Sequence, residues 1–191
     1  MTIHSPANAA DIVAQTRYWL ETVVVANNLC PFAQRPFQDE RVRFIVTDSA
    51  RAEFLLEDLL HELKRLHETP VEELETTLLI HPGVLENFHD YNDFLDLVDE
   101  LLVQEGFEGE FQIASFHPDY QFADTQFEDA ENYTNRSPWP MLHILREASL
   151  ETAIAAHPDV AGIPERNIAL MEEMGSDELQ ANLERCFQAK P

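Results

Sequence analysis

The chain alternates short, almost wholly apolar segments with longer amphipathic ones. The short segments cover residues 42–47, 76–80 and 111–116, and each has the length and the β-branched or aromatic content of a buried strand. The segments between them carry leucine and phenylalanine at the three- and four-residue spacing of a helix that packs on one face. Strands that alternate with such helices predict right-handed crossover connections and a parallel sheet.

Helices are predicted on both sides of this alternating region. An N-terminal helix covers about residues 9–28, where Asn28 suits a left-handed C-terminal cap. Three helices follow the last strand, one over about residues 138–156, one that begins at Pro164 and one that begins at Ser176.

The predicted fold class is therefore α/β. We expect a three-stranded, mainly parallel β-α-β-α-β sheet covered by helices, with an N-terminal helix and a helical C-terminal third. A ferredoxin-like antiparallel sheet is the alternative, and the missing fourth strand argues against it. The length of 191 residues with only 5 glycines predicts a single domain over residues 1–191, of which residues 1–8 form a flexible tail.

The formal net charge of −24 arises from 36 acidic and 12 basic residues. It excludes nucleic-acid binding through a basic face and disfavours anionic membrane surfaces, because like charges repel. Ten of the basic residues are arginines, which either bind carboxylate and phosphate groups or pair with neighbouring acids. The 2 cysteines form no disulfide framework, and no signal peptide or membrane-spanning run is present, so we expect a cytoplasmic protein.

The second and third predicted strands each continue into a His-Pro pair. Because the carboxyl ends of parallel strands share one edge, where ligands bind in such folds, His81 and His117 are predicted to lie together. Asp119 is close enough in sequence to orient His117 as a base, and Tyr120 lies next to it. A polar residue that merely ends a strand before proline is the alternative for both histidines.

Anion binding is predicted where the long loop after the third strand meets the next helix. Residues 137–138 (Ser-Pro) have the pattern of a helix start, whose free N–H groups and dipole attract anions. Arg136 would add a cation there beside Asn135, and His143 and Arg146 would follow on the same helix. The alternative is an ordinary N-cap with a salt-bridged arginine.

Cys30 is a candidate nucleophile if it lies beside one of these histidines. Its position after a helix C-terminus raises a thiol pKa, so a buried, inert cysteine is the alternative. A divalent metal of unknown identity, held by His117 and nearby carboxylates, is a further alternative. No nucleotide cofactor is expected, because the chain has neither a G-x-G-x-x-G motif nor a P-loop.

Four stretches share a recognisable pattern: residues 28–33 (NLCPFA), 117–122 (HPDYQF), 132–147 (NYTNRSPWPMLHILRE) and 164–167 (PERN). Together they resemble a bacterial family of unknown function, domain-of-unknown-function family 1415. The resemblance implies no activity and no catalytic role. It marks the following motif positions: Cys30, His117, Asp119, Asn135, Arg136, His143, Arg146 and Arg166.

Two functions follow from these patterns. The first is an enzyme that acts on a small anionic molecule, by hydrolysis or group transfer, at the carboxyl edge of the sheet. Its candidate catalytic residues are His117, Asp119, His143 and Cys30. Its candidate substrate-binding residues are Asn135, Arg136, Arg146, His81 and Tyr120. The second function is non-catalytic: an acidic binding or regulatory protein that engages a basic protein partner.

Overall fold

The structure is a computed structural model that describes residues 8–191, and it contains a four-stranded sheet with helices on both faces. The expected flexible tail falls almost wholly on residues 1–7, which lie outside the described residues. Asn8 caps the first helix, because its side chain accepts a hydrogen bond from the backbone N–H of Asp11. No helix within residues 8–191 is both long enough and apolar enough to cross a membrane.

The strands and helices follow one another in a regular order along the chain. The strands are β1 (Val42–Val46), β2 (Thr76–Ile80), β3 (Phe111–Phe116) and β4 (Met141–Arg146). The α-helices are α1 (Ala9–Trp19), α2 (Gln34–Gln38), α3 (Ala52–Glu68), α4 (Phe88–Glu105), α5 (Glu147–Ala156), α6 (Ile163–Met174) and α7 (Ser176–Cys186). A π-helix (Leu20–Val25) continues α1, and a 3-10 helix (Ala130–Thr134) lies in the long loop before β4.

The strand order in the sheet is β1-β2-β4-β3, and the sheet is mixed. β1 and β2 are parallel, whereas β4 is antiparallel to both of its neighbours. Because β2 and β3 both run against β4, the three predicted strands point in the same direction. The α/β architecture is confirmed, but the prediction of three strands in a mainly parallel sheet is wrong, because β4 inserts between β2 and β3.

β4 lies in the region where the sequence predicted the first part of a helix over residues 138–156. The helix α5 begins only at Glu147. β4 is central and has side chains packed on both faces of the sheet, so four of its six residues are apolar and they do not alternate with the polar ones. A run of this length does not distinguish a buried strand from a buried helix turn, and pairing with β2 and β3 decides between them.

Each face of the sheet is covered by its own hydrophobic core. The face toward α1 and α7, which we call the α1 face, buries Leu78, Ile80 and Met141. The face toward α3 and α4, which we call the α4 face, buries Leu79 and Leu142. This alternation follows from the period of two residues in a strand, and it decides on which side of the sheet each candidate side chain lies.

Candidate functional site

His81 and His117 lie close together on the α4 face, where β2 and β3 end. The ring of His81 is stacked on Tyr91 with centroids 5.6 Å apart, and the ring of His117 contacts the same tyrosine at 5.2 Å. The Tyr91 hydroxyl donates to the Met141 carbonyl and accepts from the Phe116 N–H. The structure therefore brings the two histidines together around a buried aromatic ring.

Both ring nitrogens of His117 are bound to the backbone. Nε2 donates to the carbonyl oxygen of Leu85 at 3.2 Å, and Nδ1 accepts from the N–H of Asp119 at 3.0 Å. Burial lowers the pKa of His117. The backbone amide of Asp119, rather than its exposed carboxylate, orients the ring, and neither nitrogen is left for a substrate or a metal. Tyr120 packs on Phe88 at the edge of this aromatic cluster.

His81 is held from one side only. Its Nδ1 donates to the carbonyl oxygen of Val84 at 3.0 Å, whereas Nε2 is buried and has no hydrogen-bond partner within residues 8–191. Burial lowers the pKa of His81 to about 4, with a smaller contribution from the neighbouring His117. His81 is therefore a neutral ring in a packed aromatic environment.

Arg136 is buried, with 3% of its surface exposed. Its guanidinium group lies between the rings of Phe127 and Tyr133, at 4.4 and 4.5 Å from their centroids. Nε donates to the carbonyl oxygen of Tyr120 at 3.1 Å, and one terminal nitrogen donates to that of Phe127 at 2.6 Å. Through these contacts Arg136 holds separate parts of the long loop before β4 together.

Arg146, the other arginine of the predicted binding set, stabilises a helix end. One terminal nitrogen donates to the carbonyl oxygens of Leu66, Thr69 and Leu74 at 2.5, 2.6 and 3.1 Å. Burial lowers the pKa of Arg146, whose cation nevertheless complements the negative end of the α3 dipole.

The predicted helix start at residues 137–138 does not exist. Ser137 donates from its hydroxyl to the carbonyl oxygen of Trp139, and the chain then enters β4. The predictions of an anion-binding helix N-terminus there, and of a shared helix for His143 and Arg146, are therefore wrong. His143 lies on a strand and faces the α1 face, whereas His81 and His117 lie on the α4 face. The sheet therefore separates His143 from the other two candidate histidines.

The α1 face contains a cavity of about 160 Å³, which we call the inner cavity. Cys30 and His143 both line it. Most of its remaining wall is apolar, and includes Leu20, Val24, Phe32, Leu78, Phe116 and Leu150. The structure therefore places one of the candidate histidines at the same cavity as the candidate nucleophile.

Thr76 holds the His143 ring in one tautomer. The Thr76 hydroxyl donates to the carbonyl oxygen of Ile144 at 2.6 Å, because a carbonyl only accepts, so the Nε2 of His143, 2.7 Å away, donates to the hydroxyl. Within residues 8–191 the one hydrogen bond of the His143 ring is that of Nε2, so Nδ1 keeps its lone pair. Burial lowers the pKa of His143 to about 4, so the ring is a neutral base at pH 7.

The loop that carries Cys30 is fixed by α6. Arg166 donates to the carbonyl oxygen of Asn28 at 3.0 Å, and the Asn167 amide donates to that of Leu29 at 2.7 Å. Asn28 adopts the left-handed conformation predicted for it, with φ of 51°. Burial raises the pKa of the Cys30 thiol, and hydrogen bonds from the backbone N–H groups of the two residues after Pro31 partly oppose this effect.

A second, more polar cavity of about 550 Å³ adjoins the first, and we call it the outer cavity. Cys30 and Phe116 line both cavities. The polar lining residues of the outer cavity are Thr125, Glu131, Thr134, Asn135 and Asn167. The Asn135 amide also donates to the carbonyl oxygen of Ser115, which positions this candidate side chain at the wall.

Two residues of this site were not among the candidates from the sequence. Thr76 gave no signal, because its contact with His143 depends on the pairing of β2 with β4. Asn167 lies next to Arg166 in the motif at residues 164–167, and this was a signal. No group of three or more His, Cys, Asp or Glu side chains within residues 8–191 converges in a way that would hold a metal ion.

The chain matches one known protein family over most of its length. The family model described as "Protein of unknown function (DUF1415)" matches residues 11–181. The chain belongs to this family, and the resemblance seen in its motifs is confirmed. Comparisons with curated proteins and with solved structures gave no match.

Proposed function

We propose that this member of the DUF1415 family is an enzyme in which Cys30 and His143 act on a small molecule at the inner cavity. The observation that carries the proposal is the free Nδ1 of a neutral histidine beside the same cavity as the more accessible of the two cysteines. A thiol and a base that share a substrate-sized space are the parts that nucleophilic catalysis requires.

The reaction class that fits these groups is acyl transfer. The thiol proton moves to Nδ1 of His143 while the sulfur forms a bond to the substrate carbonyl carbon. The bond from that carbon to the leaving group breaks, and the leaving group takes the proton from His143. Water then attacks the thioester on Cys30, which releases a carboxylic acid and restores the thiol. An alcohol or amine in place of water makes the reaction a group transfer.

The tautomer of His143 fits its role as the base, although burial lowers its pKa to about 4 and so weakens its basicity. Its Nε2 proton is held by Thr76, so the lone pair on Nδ1 is the one available. No hydrogen bond within residues 8–191 joins the thiol of Cys30 to the ring, and the cavity lies between their elements. Such contacts are often long in the absence of substrate and shorten when it binds.

The site proposed here differs in place from the one expected at the carboxyl edge of the sheet. An anionic substrate was expected because of Arg136 and a helix N-terminus beside it. The guanidinium donors of Arg136 are bound to backbone carbonyls, and β4 replaces the start of that helix. Two cations near Cys30, Arg146 at the inner cavity and Arg166 on α6, also donate to backbone carbonyls, so the substrate is not proposed to be anionic.

The proposal is tested with 4-nitrophenyl butyrate and mass spectrometry of the intact protein. We expect turnover, and a mass increase of one butyryl group on Cys30 during the reaction. Cys30→Ser should abolish both, and His143→Gln should lower kcat/KM by about 10²–10⁴-fold. Cys186→Ser is the matched control, because Cys186 lies buried in α7. Equal rates for Cys30→Ser and the native protein would refute the proposal.

The acidic surface of α4 favours a second candidate function, the capture of a basic protein partner. α4 exposes Asp93, Asp96 and Glu100, which form no ion pairs within residues 8–191 and lie beside the exposed Leu97 and Val103. The test is the binding of a fluorescent lysine-rich peptide. Neutralising these three acids should weaken binding, whereas neutralising Glu172, Glu173 and Glu178, on α6 and α7, should not.

A further inference from the structure

The two cavities that meet at Cys30 differ in chemical character. The inner cavity is walled mainly by aliphatic and aromatic side chains, and its polar groups are largely paired: Thr76 with His143, and Glu75 with Arg41. The wall of the outer cavity is also largely apolar, but it adds the hydroxyl and amide groups of four residues and one carboxylate. A molecule that reaches across Cys30 would therefore be apolar at the inner end and would find most of its hydrogen-bond partners at the outer end.

The volume of the inner cavity sets the size of the apolar end. At about 160 Å³ it is comparable to an apolar protein cavity of about 150 Å³ that binds benzene. It therefore has room for an apolar group of about six carbon atoms. Longer groups would have to displace the cavity wall or leave carbon atoms outside it.

The charge of the outer cavity limits the polar end. Glu131 is the one charged residue among those that line it, and its carboxylate has no hydrogen bond or ion pair within residues 8–191. An anionic group would meet this carboxylate and the field of a chain with net charge −24. A neutral or positively charged group would not be repelled by these charges.

We propose that the substrates are esters or thioesters of an apolar acyl group of about six carbons, whose leaving group is neutral or cationic. The acyl chain fills the inner cavity, the carbonyl carbon lies at Cys30, and the leaving group occupies the outer cavity. This inference rests on the proposed function. Water hydrolyses the thioester on Cys30, so the products are the six-carbon acid and the free alcohol or thiol.

The acyl-length part is tested with acetyl-, butyryl-, hexanoyl-, octanoyl- and decanoylthiocholine, with products quantified by mass spectrometry. We expect kcat/KM to be highest for hexanoyl and at least tenfold lower for decanoyl. Leu150→Phe, which fills part of the inner cavity, should move the optimum to butyryl. Ile154→Phe, at an exposed position of the same helix, should leave it unchanged.

The charge part is tested by comparing hexanoylthiocholine with the anionic S-hexanoyl thioglycolate. We expect kcat/KM to favour the cationic thioester by at least tenfold, and Glu131→Gln to reduce that ratio. Glu128→Gln is the matched control, because Glu128 is exposed and lies outside both cavities.

A binding measurement separates the substrate class from the enzyme proposal. Benzene and 1-hexanol should raise the Tm of Cys30→Ser, and Leu150→Phe in that background should remove the shift. A shift without turnover of any ester would refute the acyl-transfer proposal and, with it, the substrate class, while leaving the apolar binding site. Turnover at equal rates for all chain lengths, with Leu150→Phe silent, would refute the substrate class alone.

Discussion

The Thr76 hydroxyl lies 2.7 Å from Nε2 of His143 and donates a hydrogen bond to the carbonyl oxygen of Ile144, 2.6 Å away. The chain of donors is therefore directed, from the ring to the hydroxyl and from the hydroxyl to the backbone. It leaves Nδ1 as the basic nitrogen. The proposed chemistry depends on this tautomer, which Thr76 selects across a pair of antiparallel strands.

Thr76→Val should remove the acceptor for Nε2–H while preserving the shape of the side chain. We expect the free energy of unfolding to fall by about 1–3 kcal/mol, because a buried donor loses its partner. The ¹⁵N shifts of His143 should change from one tautomer to a mixture. Thr76→Ser, which keeps the hydroxyl, should retain the native tautomer. A native ¹⁵N spectrum in Thr76→Val would contradict the assignment.

The stability of the protein should fall as the pH drops from about 6.5 to about 4. Burial lowers the pKa of both His81 and His143 from 6.5 to about 4, so the unfolded chain binds protons in this range that the folded one does not. Each ring should account for about 3 kcal/mol of the loss. Urea unfolding of His81→Gln should show a shallower pH dependence.

Exposed His89 is the matched control for this titration. His89→Gln should keep the native dependence of the free energy of unfolding on pH. If His81→Gln and His89→Gln gave the same curve, the neutral, buried state of His81 would be wrong.

Cys30 should react slowly with iodoacetamide at neutral pH. Burial raises the pKa of its thiol, and the thiolate is the form that is alkylated, so the rate should rise on the order of tenfold or more between pH 7.5 and 9.5. Cys186, whose pKa burial raises to about 11, should stay unmodified until the protein unfolds. Peptide mapping measures both sites, and rapid alkylation of Cys30 at pH 7 would contradict this picture.

Arg136→Lys should destabilise the long loop before β4. Lysine keeps the charge but loses the planar contacts with Phe127 and Tyr133 and at least one hydrogen bond to a carbonyl, so we expect a loss of about 2–3 kcal/mol. Hydrogen exchange should increase over residues 120–134. Arg35→Lys, where 87% of the side chain is exposed, should change stability by less than about 0.5 kcal/mol.

The elements that the sequence predicted well are those with a clear period. β2 and β3 have the predicted bounds, and β1 ends within one residue of its prediction. The helical spacing between them corresponds to α3 and α4. β4 was missed because its four apolar residues do not alternate with its two polar ones, and so short a segment fits a buried helix turn as well as a strand.

The sequence pointed to the candidate side chains described above, but not to how the sheet divides them between its two faces. The shared direction of β2 and β3 placed His81 and His117 together, as expected. The Leu85 carbonyl points toward His117 because Leu85 has a backbone φ of 57°. No pattern in the sequence predicted this conformation. The side of the sheet on which His143 lies depends on the register of the missed strand, so the sequence could not tell which of the candidate histidines shares a cavity with Cys30.

The two bonds from Arg166 and Asn167 to the backbone of residues 28–29 join positions 138 residues apart. During synthesis the thiol-bearing segment leaves the ribosome long before α6 is made. The reactive group therefore acquires its final surroundings only after Arg166 and Asn167 have emerged, close to the end of synthesis. Chains cut short before α6 would lack both of these bonds, and with them Met171, Leu179 and Leu183 of the core on the α1 face.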